Sequence, residues 1–207
     1  MRATMRRLSK LRLACVAGGI ALAVAVSVGP VNRISETRLF SVHMAQHVAL
    51  LDVVPLLFVL GLGGIRRRFA HPAPSFVLWC ASLYVWHLPG LYDAALDHAL
   101  LHLLQHACFL VTGFALWRAV LGFAPLAWRL GSIAAAGLAS AVLGNLFLWA
   151  GHPFYLPYVD APRLWGLSAL ADQRLGGAVM LGEGTLVMLG AATWIVLRWT
   201  LEAERAA

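Results

Sequence analysis

LFSVHMAQHVALLDVVPLLFVLGLG, residues 39–63, is an apolar run that contains two histidines, a glutamine and an aspartate. As a helix it is long enough to cross the ~30 Å hydrocarbon core of a bilayer. Its polar pentad, His-x-x-Gln-His at residues 43–47, recurs as HLLQH at residues 102–106, inside a second run of the same kind. Polar side chains are expensive in hydrocarbon, so a repeated pentad asks for a purpose.

The rest of the composition agrees with a membrane chain. Of 207 residues, 61% are hydrophobic and only 12% are charged, too few charges to cover a soluble domain of this size. The net charge of +7 is spread over the ends of the apolar segments, with no basic and aromatic groove. It reads as a topology signal and predicts no nucleic-acid partner. Cys15, Cys80 and Cys108 all lie in apolar segments without a C-x-x-C pair, so no disulfide framework is expected. The start, MRATMRRLSKLR followed by LACVAGGIALAVAVSVG, has the build of a signal sequence. VSVGP offers no A-x-A cleavage site, so it reads as an uncleaved first helix, with a cleaved signal as the alternative.

Six apolar segments emerge, near residues 11–29, 39–63, 75–92, 98–121, 131–150 and 175–198. Backbone groups in lipid need internal partners, and alternation of the barrel type is absent, so all six are expected to be helices. The predicted fold is an all-α polytopic membrane bundle, one domain over residues 1–207. With the N-terminus inside, the inner side holds Arg2, Arg6, Arg7, Lys10, Arg12, Arg66, Arg67, Arg68, Arg118, Arg129, Arg198 and Arg205, and the outer side only Arg33, Arg38, Arg163 and Arg174. That bias predicts both termini in the cytoplasm. Residues 152–174, rich in proline and aromatics, are expected to form a packed cap on the outer side.

This topology gathers the histidines. His43, His47, His87, His98, His102, His106 and His152 fall on the outer half, and His71 alone falls inside. His43 and His47 are i and i+4 and share a helix face; His98, His102 and His106 make a second such stripe. Both helices run in the same direction, so the pentads lie at similar depth. Imidazole is the commonest protein metal ligand, and several on facing helices suit copper or zinc. The expected ligands are His43, His47, His102 and His106, with His87 and His98 as further ligands. Around them Met44, Gln46, Gln105, Asp52, Asp93 and Asp172 are candidates to orient or tune the site. Asp52 lies just before Pro55, which frees a carbonyl and can kink the helix. Glu183 and Asn145 read as helix–helix hydrogen-bond links, and Gly61, Gly63 and Gly64 as close packing.

Several of these segments resemble one family. FSVHMAQHVALLDVVPLLFVLG is similar to the signature helix of the CtaG-type cytochrome c oxidase assembly factors. LYVWHLPGLYDAALDHALLHLLQHACFLVTGFALW resembles its next two helices, and GLSALADQRLGGAVM its closing Asp-Gln element. The likeness covers residues 38 to about 198 and carries over His43, Met44, Gln46, His47, Trp86, His87, Tyr92, Asp93, His98, His102, His106, Asp172 and Gln173. It implies a role in maturing a haem-copper terminal oxidase in a bacterial plasma membrane, with cytochrome c oxidase subunits as partners and copper delivery as the supposed task. The alternatives are a b-type haem electron carrier with axial histidines, and a metal-free assembly scaffold. A transporter would need polar groups through the full depth, and the inner half has few. No nucleophile, phosphate loop, acid–base pair or HExxH motif stands out, so no enzyme is expected.

Overall fold

Apolar composition makes each long run a helix, and prolines and glycines decide where each one stops. The computed structural model describes residues 2–62, 71–122 and 124–205, which hold helices and turns and no strand. In chain order they are α1 (Arg2–Ser27), α2 (Gly29–Thr37), α3 (Phe40–Val48), a π-helical turn (Ala49–Val53), α4 (Val54–Leu62), α5 (Pro72–Trp86), α6 (Pro89–Asp97), α7 (Ala99–Val120), α8 (Leu126–Trp149), α9 (Leu156–Val159) and α10 (Ala169–Glu204). Five helices are long and apolar enough to cross a membrane: Leu8–Ser27, Phe40–Leu62, Ala99–Val120, Leu126–Trp149 and Ala169–Glu204. The 36 residues of α10 run well past the expected 175–198 at both ends.

The third expected span is the exception. Pro89 lacks an N–H and holds Leu88 extended at φ −64°, ψ 128°. One helix over 75–92 therefore becomes two, and α5 has only 15 residues, about 22 Å of helix. It still packs within the bundle, between α7 and α8. The break leaves His87 just beyond the last turn of α5.

The second span is continuous from Phe40 to Leu62, and Pro55 shapes it. A proline cannot donate to the carbonyl four residues back, here Leu51, and its ring crowds that carbonyl. The π-helical turn just before it widens the helix and relieves the crowding. The backbone of α7 approaches the freed Leu51 oxygen through Gly113, where a Cβ would collide with that oxygen and meet Pro55 Cγ at 2.9 Å. Close approach of the same kind joins α8 to α10, where a Cβ on Gly177 would meet the Gly144 oxygen at 2.5 Å.

Contacts at the helix ends show which ends lie together. The starts of α3 and α10 are bonded to each other through Asp172, and Gln105 near the start of α7 reaches the Trp86 carbonyl at the end of α5. At the opposite end Arg129 donates to the Val120 carbonyl, closing the last turn of α7. The histidine-bearing ends are thus gathered at one end of the bundle and Arg118, Arg129 and Arg198 belong to the other. Arg66, Arg67 and Arg68, with Gly63 and Gly64, lie outside the described residues, as do the side chains of Arg2, Arg6 and Arg7.

Replacing Gly113 with Ala tests the contact with α4. In an ordinary helix that change stabilises by up to about 1 kcal/mol. Here overpacking against Leu51 and Pro55 is expected to destabilise by about 1–3 kcal/mol, seen as a lower midpoint of thermal unfolding in detergent.

A candidate metal centre

The start of α3 is fixed before any histidine is placed. Its N-cap, Leu39, has no side chain able to accept from the first amides. Asp172, from the first turn of α10, does this instead: the Phe40 amide donates to its Oδ2 at 2.6 Å, and the Ser41 amide and hydroxyl donate to its Oδ1 at 3.1 and 2.5 Å. A carboxylate at a helix N-terminus is favoured by the helix dipole as well. Gln173 fastens the loop of residues 152–174 beside it, accepting from the Phe154 amide at 2.7 Å and donating to the His152 carbonyl at 3.2 Å.

From that fixed start, α3 presents His43 and His47 to the centre, and α7 presents His102 and His106. The rings within each pair are 4.2 Å apart between centroids, and across the helices His43 faces His102 at 5.4 Å and His47 faces His106 at 5.9 Å. One ring nitrogen of each of the four lies within 4.8 Å of the others, and all four residues are buried.

The hydrogen bonds fix the tautomers. Tyr158 gives its hydroxyl proton to the Ser35 carbonyl at 2.6 Å, so its oxygen accepts from His43 Nδ1 at 2.7 Å. His87 Nδ1 donates to the Leu83 carbonyl at 2.6 Å, leaving its Nε2 to accept from His47 Nδ1 at 3.4 Å. His102 Nδ1 pairs with Glu36 Oε1 at 2.8 Å. In the rings of His43, His47 and His102, Nδ1 therefore carries the proton and Nε2 keeps its lone pair. The Nε2 atoms of His43, His47, His102 and His106 are all buried without a hydrogen-bond partner. Buried acceptors left empty are costly. Four imidazoles clustered in this way could hold a metal ion. A second group oriented through Nδ1 is the usual support for a metal-binding imidazole.

An aromatic roof closes this end of the bundle. Tyr92 and Tyr155 stack at 3.9 Å, Phe40 stacks on Tyr155 at 5.3 Å, and the Tyr92 hydroxyl lies 3.1 Å from that of Tyr158. Tyr155 and Tyr158 belong to the loop predicted as a packed cap, and burial pushes both phenols above their ordinary range, so they stay neutral. Phe109 forms the floor, its ring 4.7 Å from that of His47.

The other expected residues fall elsewhere. His98 is exposed. It caps α7 in extended backbone (φ −127°, ψ 106°), so it drops out of the helical phase that would have carried it into the stripe. His87 touches the cage through His47 and stands behind it. Met44 packs near Gly176, turned away from the cage. Gln46 ties α3 to α2, donating to the Val26 carbonyl and Asn32 Oδ1, both at 2.8 Å. Gln105 donates to the Trp86 carbonyl at 3.4 Å. Asp93 lies on α6 and Asp172 serves α3. Asp52 sits five residues beyond His47, faced by the indoles of Trp79 and Trp117, with its Oδ1 and both indole N–H groups lacking a hydrogen-bond partner. Asn145 bonds within α8, to the Ala141 carbonyl, and Glu183 has no hydrogen-bond partner, so neither links helices as expected. The sequence reading missed Glu36 and Tyr158. Glu36 had a signal: it is an acidic residue on the stretch leading into the first pentad, seven positions before His43.

A family model described as cytochrome c oxidase caa3 assembly factor, Caa3_CtaG, matches residues 1–202. The chain belongs to this family. The match takes in α1 and α2 as well as the segments from residue 38 onward. Two relatives, uncharacterized proteins of Mycobacterium bovis and Mycobacterium tuberculosis, are each 27% identical over 210 residues, covering 83% of this chain and 31% of their own length. A third, from Mycobacterium leprae, is 24% identical over 231 residues, covering 94% of this chain and 35% of its own. The chain thus spans about a third of the length of these curated relatives. No solved structure matches. Asp172 and Gln173 hold the start of α3 and the roof in register.

Asp172→Ala leaves two buried amides without an acceptor. It is expected to destabilise the detergent-solubilised protein by about 3 kcal/mol, with Asp172→Asn recovering part of that in the same unfolding assay.

Proposed function

We propose that this assembly factor serves a haem-copper cytochrome c oxidase by holding one copper(I) ion as cargo in the cage of His43, His47, His102 and His106. The observation that supports this reading is the set of four partnerless, buried Nε2 atoms, three of them on rings whose Nδ1 is bonded to a second group. Bringing them to ~2 Å from one ion needs their mutual distances to close to about 3.3 Å, a modest contraction of the cage. Imidazole suits both copper and zinc. Charge favours the monovalent ion, because the cage is lined by imidazoles and, among the described residues, Glu36 is the carboxylate bonded to one of them. One buried positive charge is then offset by one negative charge, whereas a divalent ion would leave an excess.

The haem alternative fits less well. A macrocycle needs a flat slot between two axial ligands, and here paired rings on each helix lie 4.2 Å apart with Phe109 and Tyr92 against them. The excess of Arg and Lys at the opposite ends of the spans supports a reading in which the cage faces the outer side of a bacterial plasma membrane, with both termini in the cytoplasm and the short α5 as a sixth crossing beside the five long helices. Its partners in this reading are the oxidase subunits and the surrounding lipid, and its role involves no catalysed reaction.

Anaerobic titration of the detergent-purified protein with copper(I), with metal analysis and a visible spectrum on the same sample, tests the reading. The parent is expected to hold about one copper per chain and show no Soret band. A folded variant with all four histidines changed to Ala should hold none. Tyr158→Phe, which removes the acceptor for His43 Nδ1, should weaken binding about 10–100-fold. Equal and negligible copper in parent and quadruple variant would make the histidines structural and the protein a metal-free scaffold.

A further inference from the structure

The four cage residues are not held alike. His43 and His47 are anchored through chains that end on backbone: His43 through Tyr158 to the Ser35 carbonyl, His47 through His87 to the Leu83 carbonyl. The partner of His102 is the carboxylate of Glu36, which is 31% exposed against 8% for His102 itself. Glu36 is held in turn by Asn32, whose Nδ2 donates to the same Oε1 at 2.9 Å. Both residues sit on α2, a nine-residue helix entered through the turn at Gly29.

Beside this pair a cleft of about 320 Å³ separates α2 from α7. One wall carries Asn32 and Glu36, the other His102, Leu103 and His106. Two of the four cage imidazoles therefore face a space large enough for a hydrated ion or a small chelate, with a carboxylate in its wall that attracts cations.

We infer that the copper ion enters and leaves the cage through the α2–α7 cleft, and that Glu36 is the positioning residue that holds or releases His102, the ligand that exchanges. His43 and His47 keep the ion while His102 turns toward the cleft. The inference rests on the copper reading proposed above and adds the route and the order of ligand release.

The experiment uses the full chain loaded with copper(I) in detergent, with a soluble copper(I) chelator as acceptor. Stopped-flow absorbance gives the transfer rate, and equilibrium competition gives the affinity. Ala107→Trp fills the cleft, since Ala107 lines it and is not a ligand. It is expected to slow loading and transfer together by about tenfold or more, at unchanged stoichiometry and affinity. Ala141→Trp, on a different groove against α8, should leave both rates as they are. Glu36→Ala should speed transfer by about tenfold, while Glu36→Gln, which keeps an acceptor for His102 Nδ1, should change it much less. Parent-like transfer in Ala107→Trp overturns the route, and Glu36→Ala that shifts affinity without speeding transfer overturns the release. If the parent holds no copper, the functional reading fails, and the route is judged on the metal-free protein by diethylpyrocarbonate labelling and peptide mass spectrometry. His102 and His106 should then react before His43 and His47, with the order lost in Ala107→Trp; equal reactivity of the four overturns it.

Discussion

Four buried imidazoles meet between two helices, and the Nε2 atom of each has no hydrogen-bond partner. A buried acceptor without a donor is costly, and four of them at one point cost several times as much. The surrounding elements hold that arrangement in place. Asp172 sets the start of α3, Tyr158 and His87 select the tautomers of the two rings on it, and Glu36 selects that of His102. The roof of Tyr92, Tyr155 and Phe40 and the floor of Phe109 cover the cage above and below, and the α2–α7 cleft lies along its His102 and His106 side. The energy needed to keep the cage open comes from the rest of the bundle, chiefly the close α8–α10 and α4–α7 contacts made by glycines.

The sequence carried much of this in plain form. Helix class, the common depth of the two pentads and the four central histidines all followed from periodicity and from the parallel direction of two spans. What escaped depended on single backbone decisions. His98 fits the i, i+4 stripe, and only its extended backbone at the helix boundary removes it. The 75–92 segment is apolar throughout, and Pro89 divides it although a proline can also be carried inside a membrane helix. Tyr158 is remote from the pentads in the chain, and Glu36, although close before the first pentad, bonds to His102 of the second; both contacts arise from tertiary packing. Asn145 and Glu183 show the opposite failure: polar type suggested a helix link, and the face each occupies on its helix denied it.

Ser35 joins three functions in one small residue. Its carbonyl receives the Tyr158 hydroxyl that orients His43, and its own hydroxyl donates to Gln46 Oε1 at 2.8 Å, the amide that fastens α2 to α3. Roof, ligand and cleft wall are therefore mechanically one unit. A displacement of α2 that opens the cleft is felt at His43 as well as at His102.

The π-helical turn at Ala49–Val53 sets the angle between the two halves of its span. A wide turn is one residue more than an α-helix needs for the same rise. Shortening the stretch between His47 and Pro55 by one residue would restore ordinary winding and leave the two halves in much the same phase. The ring of Pro55 would then press on the carbonyl four residues before it without the wide turn that relieves the crowding. The length of this segment is thus a constraint separate from its chemistry: each residue in it could be exchanged for another apolar one more easily than any of them could be removed.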